Sequence, residues 1–242
     1  MAHDIGIQLY TLRDDLGRDF AGTLDALQGL GLHNLELAGQ YGGLDGAELR
    51  ATLDARGMAA RSAHLPLQLL EDDTAGQAAF LQSLGAQHAV YPYHVAETEA
   101  EWTALAQRLE AAARALAEHG ITLSYHNHDH ELTQTFGGRP VLDLLAEQAP
   151  SLKLELDVAW IYAGGQDPVD YLTRYADRTP LVHIKDVRRE GEGWRTVELG
   201  QGEVDLNAVF AHIPEGALLF YEQDHSDGLK SVRESLDYLN AR

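Results

Sequence analysis

The sequence predicts a single closed (β/α)8 barrel spanning residues 1–242. Three observations carry that reading: eight β-rich runs, helix-compatible stretches between them, and glycines where each helix should hand over to a strand. The runs are Ile5–Tyr10, His33–Ala38, Met58–His64, His88–His94, Ile121–His126, Leu152–Asp157, Leu181–Val187 and Leu218–Gln223. Between them, stretches such as Asp19–Leu30, Ala47–Arg56, Glu99–Glu118, Val141–Glu147 and Ser231–Leu239 are rich in Ala, Leu, Glu and Arg, with apolar residues three and four apart. Gly31, Gly57, Gly85, Gly120 and Gly216 stand at the helix-to-strand junctions, where a glycine cap belongs. Strict alternation implies parallel strands with right-handed crossovers. A barrel of this kind commonly occupies about 250 residues as one unit, so 242 residues leave no room for a separate domain. An open doubly wound sheet is the structural alternative, but no Gly-x-Gly-x-x-Gly follows the first run.

Side chains of a strand alternate between faces, so the apolar parity should face the helices and the other parity the lumen. In the first run Ile5, Ile7 and Leu9 point outward, leaving Gln8 and Tyr10 inside. In the second Asn34 and Glu36 share a face, and in the third Ser62 and His64 do. In the sixth run Leu152, Leu154 and Leu156 turn outward, so Glu155 and Asp157 enter the lumen. In the seventh His183 and Lys185 point inward; the eighth is apolar on both parities, which leaves the direction of Glu222 open. Ionisable groups thus gather late in the strands, at the end where barrel enzymes place their chemistry. The segment Arg188–Glu203, with four glycines, is too long for an ordinary turn and predicts a loop or small hairpin over the site.

Composition narrows the function. The chain has 38 acidic and 18 basic residues, a formal charge of −20, which disfavours nucleic acid and anionic membranes as partners. With no cysteine there is no disulfide framework, thiolate metal site or cysteine nucleophile. No basic segment precedes an apolar run at the N-terminus, and no stretch approaches the roughly 18 apolar residues of a membrane span, so a cytoplasmic location is expected. A homo-oligomer is compatible with all of this.

Buried carboxylates and imidazoles must meet one another, water or a metal. The strongest combination is Glu131 after the fifth run, Asp157 ending the sixth, His183 in the seventh and Glu222 ending the eighth, one from each of four neighbouring strands. Three carboxylates and one imidazole suit one divalent ion, Mn²⁺, Mg²⁺ or Co²⁺ first, with Fe²⁺ or Zn²⁺ accommodated. A buried polar network is the plainer explanation, with Asp224 competing for the place of Glu222 and Lys185 pairing with Asp186 or Glu155. Gln8, Tyr10, Glu36, His64, His94, Asn127 and His128 are candidates for substrate hydroxyls or for orienting ligands, and Trp160 for a wall of the site. His3, His33, His88, His119 and His212 are expected to be solvent-exposed or capping residues, without a functional role.

Seven motifs in this order resemble the xylose isomerase-like barrel superfamily, which includes sugar-phosphate isomerases/epimerases, ketose 3-epimerases, inosose dehydratases and, more distantly, endonuclease IV-type enzymes. They are Gly6-Ile7-Gln8-Leu9-Tyr10-Thr11-Leu12-Arg13, Leu35-Glu36-Leu37-Ala38-Gly39, Tyr125-His126-Asn127-His128-Asp129-His130-Glu131, Leu156-Asp157-Val158, His183-Ile184-Lys185-Asp186, Leu199-Gly200-Gln201-Gly202-Glu203-Val204-Asp205 and Tyr221-Glu222-Gln223-Asp224. The resemblance runs the length of the chain. It implies that Glu131, Asp157, His183 and Glu222 hold the metal, that Glu131 and Glu222 also move protons on opposite faces of the substrate, and that Lys185 adds charge near the reacting oxygen. Trp160 departs from it, standing three residues after Asp157 where ketose epimerases and endonuclease IV-type enzymes commonly have histidine.

The expected activity is therefore a metal-dependent isomerisation or epimerisation of a small sugar, keto-sugar or cyclitol by proton abstraction beside a carbonyl. The alternative is a dehydratase or lyase using the same apparatus on a keto-sugar or inosose. Phosphodiester cleavage is disfavoured by the charge and by the missing Asp-x-His pair between Val187 and Glu203, and a sugar-binding barrel without catalysis by the four-ligand set. The absence of a Lys and Arg cluster favours an unphosphorylated substrate.

Overall fold

Eight short strands with buried apolar residues on alternate positions close on themselves in chain order: Ile5–Gln8, Asn34–Leu37, Ala59–His64, His88–Tyr91, Thr122–His126, Lys153–Asp157, Leu181–Ile184 and Leu218–Tyr221. All pairings are parallel, and the first strand pairs with both the second and the eighth, so the computed structural model, which describes residues 4–241, is a closed barrel. His3 lies outside the described residues. Helices cover the outside, and among the described residues none is long and apolar enough to cross a membrane.

The outward parity is as expected: Ile7, Leu35, Leu37, Leu123, Leu154, Leu156, Val182 and Ile184 are buried in the core between sheet and helices. The longest helix, Glu99–Ala117, begins with a Thr98–Glu101 capping box and buries Trp102, Leu105, Leu109 and Leu116 along one stripe. Each such side chain contributes about 1.5–3 kcal/mol by leaving water, so this shell fixes the strands that present the lumen. The five junction glycines all have positive φ, between 63° and 80°.

The lumen has two zones. Its floor is apolar: Val90, Leu181 and Phe220 form a separate buried cluster with Leu218 against it. Gly6 makes room for this plug, since a Cβ there would stand 2.8 Å from Phe220 Cδ1 and 2.4 Å from the Asn34 carbonyl oxygen. Phe220 on the inner face settles the parity of the eighth strand and sends Glu222 inward, where it is 4% exposed. His88, expected to be exposed or capping, is instead half-buried on the same strand face as Val90, whereas His33, His119 and His212 are exposed.

Strand ends differ from expectation in ways that shape the mouth. The first strand stops at Gln8 because its side chain accepts a hydrogen bond from the Tyr10 N–H (2.9 Å) and starts a 3-10 turn, Leu9–Leu12. Tyr10 is therefore not a strand residue pointing into the lumen; it stands 44% exposed beside it. The seventh strand ends at Ile184, and Asp186–Glu190 pairs antiparallel with Gly193–Val197 to give the hairpin anticipated from the glycine-rich segment. The Asp186 carboxylate ties the chain after this hairpin back by accepting from the N–H groups of Val187, Gly200, Gly202 and Val204 at 2.9–3.1 Å. A Cβ at Gly202 would meet Asp186 Oδ1 at 2.1 Å, which explains the glycine.

Candidate functional site

Asp157 shows how the fold builds the site. Ending the sixth strand, it caps the next helix, Val158–Ala163: Oδ1 accepts from the N–H groups of Ala159 (3.0 Å) and Trp160 (2.9 Å). Its other oxygen, Oδ2, is buried, has no hydrogen bond, and faces Lys185 Nζ at 2.9 Å. Asn127, at the end of the fifth strand, pairs with the Asp157 backbone through Oδ1 (3.0 Å) and Nδ2 (3.4 Å). The carboxylate is thus aimed by its own backbone and by a neighbouring amide.

Around it the structure gathers His126, His183 and Glu222, all buried, with ligand atoms within 4.8 Å of one another. His183 Nδ1 lies 2.9 Å from Glu222 Oε2 and 3.9 Å from Asp157 Oδ2. Lys185 Nζ stands among Glu222 (2.7 Å), Asp157 (2.9 Å) and Asp224 (2.9 Å), and pairs with neither Asp186 nor Glu155. Burial disfavours the Lys185 ammonium, but these three carboxylates outweigh it and raise its pKa well above the usual value. Burial likewise works against the charge on Glu222, but Lys185 and His183 hold its carboxyl well below the usual range. For Asp157 burial wins, and its pKa is pushed up to about 6 against the pull of Lys185 and His183. A buried carboxylate oxygen held only by the Lys185 ion pair, beside a second carboxylate and two imidazoles, is a donor set that fits a divalent ion.

Glu131 is not brought to this group. The chain leaves the fifth strand at His126, and Glu131 sits in the short helix His130–Thr133 with its carboxylate spent on the Tyr125 hydroxyl (2.5 Å) and the His128 N–H (2.8 Å). Burial raises its pKa. Among the described residues, neither cluster of metal-capable side chains contains Glu131 or His94. His94 accepts or donates with the Tyr91 hydroxyl (3.1 Å) and packs on Trp102, its ring centroid 5.3 Å away.

The other expected residues divide by depth. Glu36 is fully buried: Gln8 Nε2 donates to Oε1 (2.8 Å), the Ser62 hydroxyl to Oε2, and His183 Nε2 lies 2.6 Å from Oε1. Gln8, Glu36 and Asn127 are buried and bond to neighbouring protein groups rather than meet solvent. Tyr10, His64 and His128 do reach a cavity of about 490 Å³, whose polar lining is His64, His126, His128, Glu222 and Asp224 and whose remaining lining is Tyr10, Ala38, Gly39, Pro66, Pro92 and Tyr93. Arg13 holds Tyr10, its guanidinium 4.4 Å from the ring centroid, while donating to the Asp224 carbonyl (2.9 Å). Trp160 lies with its ring centroid 5.2 Å from Lys185 Nζ and 5.9 Å from the stacked His128 ring. Burial, helped by Lys185, pulls the His128 pKa down to about 3, so the ring is neutral.

Sequence reasoning did not single out His126, Glu155 or Tyr93 for the site. His126 shares the inner parity with Ser124, as the outward Leu123 and Tyr125 would have shown; Tyr93 lies beyond the fourth strand, where parity carries no information.

Comparison with known proteins agrees with this architecture. Residues 24–242 match the family model described as xylose isomerase-like TIM barrel. An inosose dehydratase of Geobacillus kaustophilus is 36% identical over 135 residues, 49% of this chain and 43% of that protein, so the match spans less than half of the relative. A crystal structure of a sugar phosphate isomerase/epimerase from Parabacteroides distasonis superimposes with a TM-score of 0.85 at 22% identity, covering 100% of this chain and 94% of that one. The IOLI protein, crystallised with a zinc atom, gives 0.75 at 13% identity, covering 96% and 95%.

Proposed function

This chain belongs to the xylose isomerase-like TIM barrel family, and we propose that it is a metal-assisted dehydratase acting on an inosose or a related keto-sugar. The reading rests on one observation: of the two carboxylates expected to move protons, Glu222 lines the cavity and Glu131 does not. Epimerisation needs proton carriers on both faces of the reacting carbon, whereas elimination of a β-hydroxyl needs one base and a leaving group. The dehydratase named among the relatives supports the same choice of substrate.

In this reading Asp157, His183 and Glu222 would hold one divalent ion, which would supply Lewis-acid polarisation of the substrate carbonyl when bound. Zinc, as in the IOLI protein, and manganese both suit the set. Glu222 takes the proton from the carbon beside the carbonyl and, as the carbon–carbon double bond forms and the β carbon–oxygen bond breaks, hands it to the departing hydroxyl, which leaves as water. Lys185, 2.7 Å from Glu222, places a permanent positive charge where negative charge develops on the carbonyl oxygen. His128, neutral, donates to or accepts from a substrate hydroxyl, and Tyr10 and Tyr93 cover the apolar face of the ring.

Incubating the metal-loaded protein with an inosose in deuterium oxide tests this by NMR. Loss of water with one solvent deuterium at the carbon that lost the hydroxyl is expected, because the enol left by elimination is protonated there, and a chelator abolishes it. Deuterium incorporation without loss of water supports the isomerase or epimerase reading. Neither change, across inososes and ketohexoses with several metals, contradicts both.

A further inference from the structure

Below the rim group, three imidazole nitrogens converge on one carboxylate oxygen. Glu155 Oε2 lies 2.9 Å from His64 Nε2, 3.2 Å from His183 Nε2 and 3.2 Å from His126 Nδ1. The ligand atoms of these four residues lie within 4.8 Å of one another, and the side chains are 0–10% exposed. Around a tetrahedral zinc ion with bonds of about 2.0–2.1 Å, neighbouring donors stand about 3.4 Å apart, so the three distances to Glu155 Oε2 lie within about 0.5 Å of that spacing. Two buried atoms here, His126 Nδ1 and Glu155 Oε1, have no hydrogen-bond partner. Such orphans are uncommon and costly in a folded protein.

We infer that His64, His126, His183 and Glu155 form a second cation site, one layer beneath the rim and sharing His183 with it, for a zinc-class ion. Three imidazoles and one carboxylate make a nitrogen-rich set that suits Zn²⁺ better than Mg²⁺ or Mn²⁺, whereas the rim set has more oxygen. Charge agrees: Glu36 and Glu155 both face this space, Glu36 Oε1 lying 3.1 Å from His64 Nε2 and 2.6 Å from His183 Nε2, and one divalent ion balances two carboxylates beside neutral imidazoles. An entry path exists, because His64 and His126 both line the cavity. His183 serves both layers, with Nε2 toward Glu155 and Nδ1 toward Glu222 (2.9 Å). With both layers filled its ring bridges the two ions as an imidazolate, its last ring proton passing to solvent. The donors come from the third, fifth, sixth and seventh strands, so the lower ion also cross-links half of the barrel.

Zinc-saturated, dialysed protein tests the inference by anomalous diffraction at the zinc edge and by metal analysis. The parent should show a peak surrounded by His64, His126, His183 and Glu155. Glu155→Gln and His64→Gln should each lose one zinc per chain relative to the parent, while Asp157→Asn loses the rim ion and keeps the lower one. A parent without a peak among those four donors overturns the inference whether or not the variants fold, and so does Glu155→Gln retaining the parent's zinc content. A lower peak without a rim peak sustains the inference and removes the metal from the proposed reaction.

Discussion

The floor and the mouth of the lumen are built by the same inner face of the same strands, yet they have opposite chemistry. On the eighth strand and its extension, Phe220 plugs the floor and Glu222, two residues on, faces the cavity. On the seventh, Leu181 is floor, His183 is the shared imidazole and Lys185 the buried ammonium. A two-residue step along one face thus carries the chain from packing to chemistry. The apolar end supplies rigidity; the polar end holds charges whose mutual attraction must offset the cost of leaving water.

Four expectations break or sharpen this contrast. The largest concerns Glu222 alone: Glu222→Gln should lower kcat on an inosose by ~10³-fold or more, about 4 kcal/mol, with folding intact by circular dichroism. A variant retaining a tenth of parental activity would remove Glu222 from the chemistry. At the floor, Phe220→Ala should lower the unfolding free energy by about 3–5 kcal/mol in urea titrations, while the metal affinity of the folded fraction stays within a few-fold of the parent. Loss of metal binding without loss of stability would erase the division.

Glu36→Gln is smaller. Glu36 reaches the rim only through His183, so its substitution should weaken rim metal binding about 10–100-fold, with kcat recovered at saturating metal. Unchanged affinity would make Glu36 a mere space-filler. The last is a pH effect in metal-free protein. Burial disfavours the charged form of His64, but Glu36 and Glu155 override it and push its pKa from 6.5 up to about 10. A group raised on folding contributes stability that is complete below its unfolded pKa and lost as pH rises through the folded value. The Tm should therefore fall between pH 6.5 and about 10, and His64→Gln should flatten that slope; a parallel slope in the variant would assign it elsewhere.

Much of this was legible in the residues. Alternation and glycine caps predicted the barrel, and inner-face parity placed Asp157, His183 and Lys185 at one rim. Parity tells which face a side chain takes but not how deep it ends up, so Gln8, Glu36 and Asn127 read equally as substrate contacts or as orienting groups, and the structure shows them fully buried. It also stops where a strand stops: Glu131 lies five residues past the end of the fifth strand, within a helical turn, and Tyr10 is displaced by the turn that Gln8 caps. The ambiguity of the eighth strand was resolved by size, because Phe220 fits inside only against a glycine.

The most direct measurement is anomalous diffraction from crystals saturated with manganese. A peak within bonding reach of Asp157 Oδ2, His183 Nδ1 and Glu222 Oε2 is the predicted result. A manganese-loaded protein with no peak at those three atoms would contradict the account.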